Sequence, residues 1–416
     1  MNILFLCNKN PYPEKDGGCL CMNVFIKEAV RRGWYVKVLA VNSKKNFVNA
    51  VDIPEEYRGK THYENVFMDM TVKPWSFLAT YLNGRSPHIT RFISVEYKKR
   101  LVEILKETKF DVVRIESIFM MPYIDTVREY SDAIVDLRTH NVENLIWKRL
   151  RNAAANPVKK LLYDHVASTL EKYELNVIHA PDCISAISEI DAEWFREKLQ
   201  DKPRFQLHPL DFVKSSGKHP VKVSVVPFGL DIQNISLHED IMPEPDSLFY
   251  IGAMNWIPNQ EGVEWFLTHV WPLVHQKMPQ LKFYVAGRNM PQSLIDSHPE
   301  NVVVVGEVDD AHEFMRSKGI MIVPLLSGSG VRVKIIEGLS MSKAIVTTSV
   351  GAEGISVADG HDIMIADKPE EMAASIVGLA ENPALVKNIE THAFETAQRY
   401  DVRSIFSNWL EFIGRS

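Results

Sequence analysis

The residues best suited to chemistry stand close together in the last third of the chain. Gly328, Ser329 and Gly330 make a glycine-rich turn, Val331 follows, and Arg332, Lys334 and Glu337 come next. A guanidinium and an ammonium this close can clamp an anion such as a phosphate. An acidic side chain near a phosphate site typically accepts hydroxyl groups, for instance those of a ribose. Spacing alone leaves open that the three charged residues are ordinary neighbours on a helix surface. Two further candidates lie far upstream. One is His140, followed by Asn141 and Glu143; a lone histidine is more often structural than catalytic. The other is the pair Gly17-Gly18, which reads either as a flexible turn or as a close backbone approach to a phosphate or sugar.

Something must hold these residues in place. The apolar run Ile320 to Pro324 reads as a buried strand, Val331 to Met341 as an amphipathic helix, and Ala344 to Thr348 as the next strand. Strand, glycine turn, helix and strand form the unit of a parallel sheet. The turn then sits at the carboxyl end of the strands, where open α/β sheets bind ligands. A helix N-terminus offers unpaired N–H groups and partial positive charge. Cations are disfavoured there by the helix dipole, so Arg332 and Lys334 need a reason, and a bound anion supplies one.

The same alternation runs through the rest of the chain. Strands are expected at Asn2 to Cys7, Tyr35 to Val41, Phe110 to Glu116, Ala133 to Asp136, Cys183 to Ser188, Val221 to Pro227, Ser247 to Gly252, Leu281 to Gly287 and Val302 to Gly306. Helices are expected at Cys19 to Arg32, Lys73 to Leu105, Pro157 to Asn176, Val263 to Met278 and Val402 to Ile413. The polar stretch Ile232 to Asp246 reads as a linker. Ser188 to Asp191 reads as a capping box.

Gly328 to Glu337, with the run EGLSMSKAIV that Glu337 opens, resembles the donor-site signature of retaining glycosyltransferases of family four, in the branch carrying GSGxRxKxxE. The resemblance implies the GT-B architecture: α/β, with two doubly wound, Rossmann-like domains facing a central cleft. It implies an acceptor-side domain over 1–228, a nucleotide-sugar domain over 229–398, and a helix over 399–416 crossing back to the first. It makes His140 the active-site histidine beside the transferred sugar, with Asn141 and Glu143 lining the site. Gly17 and Gly18 face the donor; Gly328, Ser329, Gly330, Val331 and Glu337 hold it; Arg332 and Lys334 act on the diphosphate.

The sequence also departs from the family pattern. Ser329 stands where an acidic residue is usual, and Ala253 and Glu261 stand where the usual members have an Arg and a Lys for the diphosphate. The expected reaction is retaining transfer of a sugar from a nucleotide-diphosphate sugar to a glycan or lipid-linked acceptor, in surface polysaccharide or glycoconjugate assembly. No DxD motif is found, so neither a metal nor another cofactor is expected. Ser329, Ala253 and Glu261 keep a non-catalytic nucleotide- or glycan-binding subunit as an alternative, and a nucleotide-sugar epimerase shares the architecture.

Composition bounds the remainder. The chain has 416 residues, 46% hydrophobic and 24% charged, as expected for a globular protein of two or three domains. A net charge of −6 argues against nucleic acid as the main partner. Cys7, Cys19, Cys21 and Cys183 show neither a disulfide framework nor metal spacing, which fits a reducing cytosol. No apolar run is long enough to span a membrane. Aromatic and basic residues mix over Lys73 to Leu105, which suits either peripheral contact with the inner membrane face or a solvated helix with its aromatics turned inward.

Overall fold

The computed structural model describes residues 1–14, 16–71, 80, 83–154, 156–201, 220–236, 241–296, 299–328 and 331–414. Ser329 and Gly330 lie outside the described residues, as do Trp75, Phe77 and Tyr81 of the expected 73–105 helix. The chain divides into two compact units, Met1–Gly229 with Ile405–Ser416, and Leu230–Ser404.

The first unit holds a parallel sheet of seven strands: β1 (Asn2–Cys7), β2 (Tyr35–Asn42), β3 (Glu64–Phe67), β4 (Val112–Glu116), β5 (Ile134–Arg138), β6 (Cys183–Ala186) and β7 (Lys222–Val225). Their order is β3-β2-β1-β4-β5-β6-β7. The apolar run NILFLC makes β1 a central strand, covered on both faces. Alternate residues of β1 enter different cores: Leu4 and Leu6 pack on one face, Ile3, Phe5 and Cys7 on the other. The second face is closed by the Gly17–Arg31 helix and by Ile405, Phe406 and Trp409 of the Val402–Phe412 helix. Asp16 caps the Gly17–Arg31 helix by accepting the Cys19 N–H at 2.9 Å. The helix therefore begins at the glycine pair, two residues earlier than expected.

The second unit holds a parallel sheet of six strands: β8 (Glu244–Ile251), β9 (Lys282–Ala286), β10 (Val302–Gly306), β11 (Lys318–Val323), β12 (Ile345–Thr347) and β13 (Met364–Ile365). Their order is β10-β9-β8-β11-β12-β13. Counted within its own unit, each sheet contains the doubly wound order 3-2-1-4-5-6. Its crevice opens where the order reverses, between β1 and β4 in one unit and between β8 and β11 in the other.

Several expected boundaries move. The 73–105 stretch is not one helix: helices at Pro87–Thr90 and Val95–Glu107 are separated by Arg91 to Ser94. In the second of them Tyr97, Leu101, Ile104 and Leu105 are buried and Arg100 is tied to Glu64 and Glu103. The helix expected at Val263 to Met278 starts at Ile257, passes through a π turn at Phe266–Val270 and resumes over Trp271–Lys277. The expected linker holds a short helix, Ile232–Ser236, and the start of β8. Ser188 does cap the Glu189–Lys198 helix, accepting the Asp191 N–H at 3.2 Å.

Candidate functional site

In the C-terminal unit β11 ends at Val323, and the chain runs through Pro324 to Gly328 and on to a helix at Val333–Ser340. Arg332 is the N-cap residue and Lys334 lies in the first turn. Both side chains turn inward. Arg332 is 5% exposed, and its guanidinium carbon stands 5.6 Å from the centre of the Trp256 ring. The Lys334 ammonium donates to the Tyr250 hydroxyl at 3.1 Å and reaches the Asn259 side-chain oxygen at 3.4 Å. Burial, and then the neighbouring Arg332, pull Lys334 down to about 7, against the pull of Glu337. A buried ammonium beside a guanidinium is electrostatically unfavourable, and an anion in the same place relieves it.

The residues around this pair come from β8, the loop and helix that follow it, and the end of β9. Tyr250 lies on β8, and Asn259 donates to the Ala253 carbonyl at 2.8 Å. Gly252 is held against the ammonium: a Cβ there would lie 2.5 Å from Lys334 Nζ and 2.6 Å from the Tyr250 hydroxyl. Gly287, at the end of β9 with φ +145°, would place a Cβ 1.8 Å from the Gly252 carbonyl oxygen. These glycines let two strand ends converge beside the cations. Gly328 faces Trp256, whose ring would meet a Cβ at 3.1 Å. Val331 is half-buried ahead of the helix. Glu337 is partly exposed, 3.3 Å from His312 Nε2. Glu261 accepts from Ser327 at 3.0 Å at the surface, so this acidic side chain braces the loop.

In the N-terminal unit a row of buried charges runs up to His140. Strand register sets Arg114 beside Asp136 and Glu116 beside Arg138. Arg114 donates to Glu116 at 2.9 Å and to Asp136 at 2.5 Å, and all four side chains are at most 2% exposed. Asp136 also accepts from Ser185 at 2.7 Å and from the Trp409 indole at 2.8 Å. Arg114 lies over the Phe25 ring at 4.1 Å. His140 Nε2 lies 3.0 Å from Glu116 Oε2. Arg138 donates to the Cys21 sulfur at 3.6 Å and to the Val226 carbonyl.

The charges set one another. Burial pushes Glu116 up, but Arg114, His140 and Arg138 bring it down to about 2. Burial disfavours the His140 cation, yet its bonds to Cys21 and Glu116 raise it to about 9. Burial likewise opposes the Cys21 thiolate, and Arg138 with His140 outweigh it, to about 7. His140 is thus an imidazolium at neutral pH.

Asn141 and Glu143 belong to the same cluster. Burial lifts Glu143 to about 7, opposed by His140, Asn141 and Arg91. The helix that Glu143 opens, Glu143–Ala153, is capped by the Glu174 carboxylate. It accepts the Glu143 and Asn144 N–H groups at 3.1 and 3.2 Å. Gly17 and Gly18 start their helix beside Lys9, which pairs with Asp16 at 2.6 Å. A Cβ on Gly18 would meet the Lys9 ammonium at 2.7 Å, the movable end of a flexible side chain.

The sequence patterns thus point to Arg332, Lys334 and His140 but not to the groups around them, Tyr250, Asn259, Glu116, Arg138 and Cys21. The signal for the charge row was there in the alternation of Arg114 with Glu116 and of Asp136 with Arg138.

Comparison with known proteins agrees with this architecture. Residues 245–382 match the family described as Glycosyl transferases group 1. An uncharacterized 44.6 kDa protein in the cps region of Klebsiella pneumoniae is 23% identical over 333 residues, covering 76% of this chain and 77% of that one. The phosphatidyl-myo-inositol mannosyltransferase of Mycolicibacterium smegmatis is 24% identical over 186 residues, 42% of this chain and 47% of that protein. Among solved structures, sucrose-phosphate synthase from Thermosynechococcus elongatus superposes with a TM-score of 0.66 at 13% identity, covering 100% of this chain and 99% of that one. Anabaena HepE in complex with UDP gives a TM-score of 0.65 at 13% identity, covering 100% of both. The fold is GT-B, with two Rossmann-like parallel-sheet domains.

Proposed function

We propose that this chain is a retaining glycosyltransferase that uses a nucleoside-diphosphate sugar as donor. The observation that carries the reading is the pair at a helix entrance formed by buried Arg332 and by Lys334, which reaches in to Tyr250 and Asn259, inside the stretch that matches Glycosyl transferases group 1. The diphosphate lies on this pair and on the first N–H groups of the helix, with Gly328, Ser329, Gly330 and Val331 around it. Glu337 takes the ribose hydroxyls. HepE structures with UDP and with UDP-glucose support a nucleotide sugar of this kind.

Cleaving the sugar–phosphate bond leaves negative charge on the diphosphate and positive charge on an oxocarbenium-like ring. Arg332 and Lys334 stabilise the leaving group; one preplaced donor of this sort contributes about 3–4 kcal/mol in other enzymes. The reading assigns this work to side chains, so it needs no metal. The departing phosphate oxygen takes the proton of the acceptor hydroxyl, and the new bond forms on the face the phosphate left. His140 is assigned to the transferred sugar, with Asn141 and Glu143 beside it, and Gly17 and Gly18 to the donor. The acceptor is a glycan or lipid-linked sugar of a surface polysaccharide or glycoconjugate, in line with the relative from a cps region. The reaction belongs on the cytoplasmic side, where nucleotide sugars are made.

The test is direct. A thermal-shift screen against UDP, GDP, ADP and CMP identifies the base, and release of that nucleotide from its sugar conjugates measures turnover. Arg332→Ala and Lys334→Ala are each expected to lower turnover at least about tenfold with an unchanged circular dichroism spectrum, and EDTA is expected to leave the wild type unaffected. Wild-type rates in both variants refute the assignment. Tight nucleotide binding without turnover on any donor turns the reading to a binding subunit, and sugar interconversion without an acceptor turns it to an epimerase.

A further inference from the structure

The Glu143–Ala153 and Pro157–Val177 helices pack on each other as a hairpin. Deep in the hairpin, Val166, Leu170, Tyr173 and Val177 are buried in the N-terminal core. The tip is different. Val158 is 75% exposed, Leu161 64%, Leu150 43% and Leu162 38%. Val158, Leu161 and Leu162 sit at i, i+3 and i+4 and form a stripe on the first turns of their helix. The stripe ends there, because the same surface continues with Asp164, Ser168 and Glu171. An apolar cap confined to one tip serves neither the core nor solubility.

The charge around this cap is one-sided. Between positions 148 and 171 the chain carries Lys148, Arg149, Arg151, Lys159 and Lys160 against Asp164 and Glu171, a local excess of +3 in a chain of net −6. Lys148 pairs with Glu171 and Arg151 with Asp164, both at 2.7 Å, so Arg149, Lys159 and Lys160 carry the excess. Lys159 and Lys160 are exposed between the apolar side chains. A shallow open depression at the tip is lined by Arg151, Asn152, Pro157, Lys160, Leu161 and Asp164; in it Lys160 adds a cation beside the Arg151–Asp164 ion pair.

We propose that this hairpin tip docks on an anionic phospholipid surface. Leu150, Val158, Leu161 and Leu162 enter the boundary between headgroups and acyl chains. Lys159 and Lys160 lay their stems along the same surface and keep their ammonium groups among the phosphates. Flexible lysines around a small apolar tip suit a fluid anionic surface better than a fixed protein groove. The proposal stands apart from the sugar-transfer reading, since binding to lipid needs no donor.

The test uses the full chain and vesicles of phosphatidylcholine with or without about 30% phosphatidylglycerol. Co-sedimentation is expected only with the anionic vesicles and is expected to weaken as salt rises. Each basic residue near such a surface is worth about fivefold in partitioning. Lys159→Gln with Lys160→Gln is therefore expected to weaken binding by more than about tenfold, and Leu161→Ser with Leu162→Ser likewise. Neither pair is expected to change the melting temperature or nucleotide binding. The proposal is overturned if the wild type stays in the supernatant with anionic vesicles, or if both double variants sediment as the wild type does. It is also overturned if the tip proves to be a self-association surface, with a dimer in sedimentation velocity that Leu161→Ser/Leu162→Ser abolishes and no vesicle binding.

Discussion

Lys334 carries the sharpest consequence at the scale of single residues. Its folded-state pKa is lowered to about 7 by burial and by Arg332. A diphosphate beside it favours the charged form, so binding takes up a proton above that pH. Nucleotide affinity is then expected to fall by about tenfold or more from about pH 7 to about pH 9. Titration calorimetry in two buffers of different ionisation enthalpy measures the proton directly, and Lys334→Met is expected to remove it. A pH-independent affinity in the wild type contradicts the assignment. His140 has the opposite sign. Its folded-state pKa is raised to about 9 by Cys21 and Glu116 against burial. Its contribution to stability is therefore complete below about pH 6.5, the ordinary histidine value, and is lost as pH rises through about 9. Glu116→Gln is expected to lower the His140 midpoint, read from its ring proton resonances. It is also expected to cost about 3–5 kcal/mol in urea unfolding, because Arg114 and Arg138 lose a buried counter-charge. An unmoved midpoint counts against the cluster.

Among elements, the convergence of the β8 and β9 ends separates structure from binding. Gly287→Ala forces a Cβ into the Gly252 carbonyl at a backbone conformation that L side chains rarely adopt. It is expected to cost about 1–3 kcal/mol or more of stability. Gly252→Ala meets the ends of side chains instead, above all the Lys334 ammonium. It is expected to weaken nucleotide binding more than it lowers the melting temperature. Paired thermal-shift and calorimetric titrations distinguish the two; equal effects on binding from both variants contradict the picture. The elements were largely legible from the sequence, because NILFLC, SLFYIG and the run through Val323 are apolar segments of strand length bounded by turn residues, as buried parallel strands are. Their side-chain partnerships were not. Arg114 meets Asp136, and Glu116 meets Arg138, only once β4 and β5 are in register, and register is a non-local fact. Tyr250 reads as one more core aromatic until Lys334 is brought beneath it. The π turn at Phe266–Val270 leaves no mark in hydrophobic spacing, and the helix there was expected to begin later than it does.

Across the whole molecule, two sheets with one strand order are built from separate stretches of chain, and the N-terminal unit also uses Ile405–Ser416. Trp409 is fully buried in that unit and donates to Asp136. Trp409→Ala is expected to cost about 3–5 kcal/mol and to open the N-terminal unit first in limited proteolysis, with nucleotide protection of the C-terminal unit retained. Simultaneous loss of both units contradicts that division. The match to Glycosyl transferases group 1 covers 245–382, all within the C-terminal unit, which also carries the Gly328 to Glu337 pattern.

The bond from Trp409 to Asp136 has a bearing on biosynthesis. The strand that carries Asp136 leaves the ribosome long before the indole that satisfies it. The two residues are 273 positions apart, so at roughly 5–20 residues per second the wait is about 14–55 s. Through that interval the nascent chain carries an open apolar face and a carboxylate lacking one of its donors.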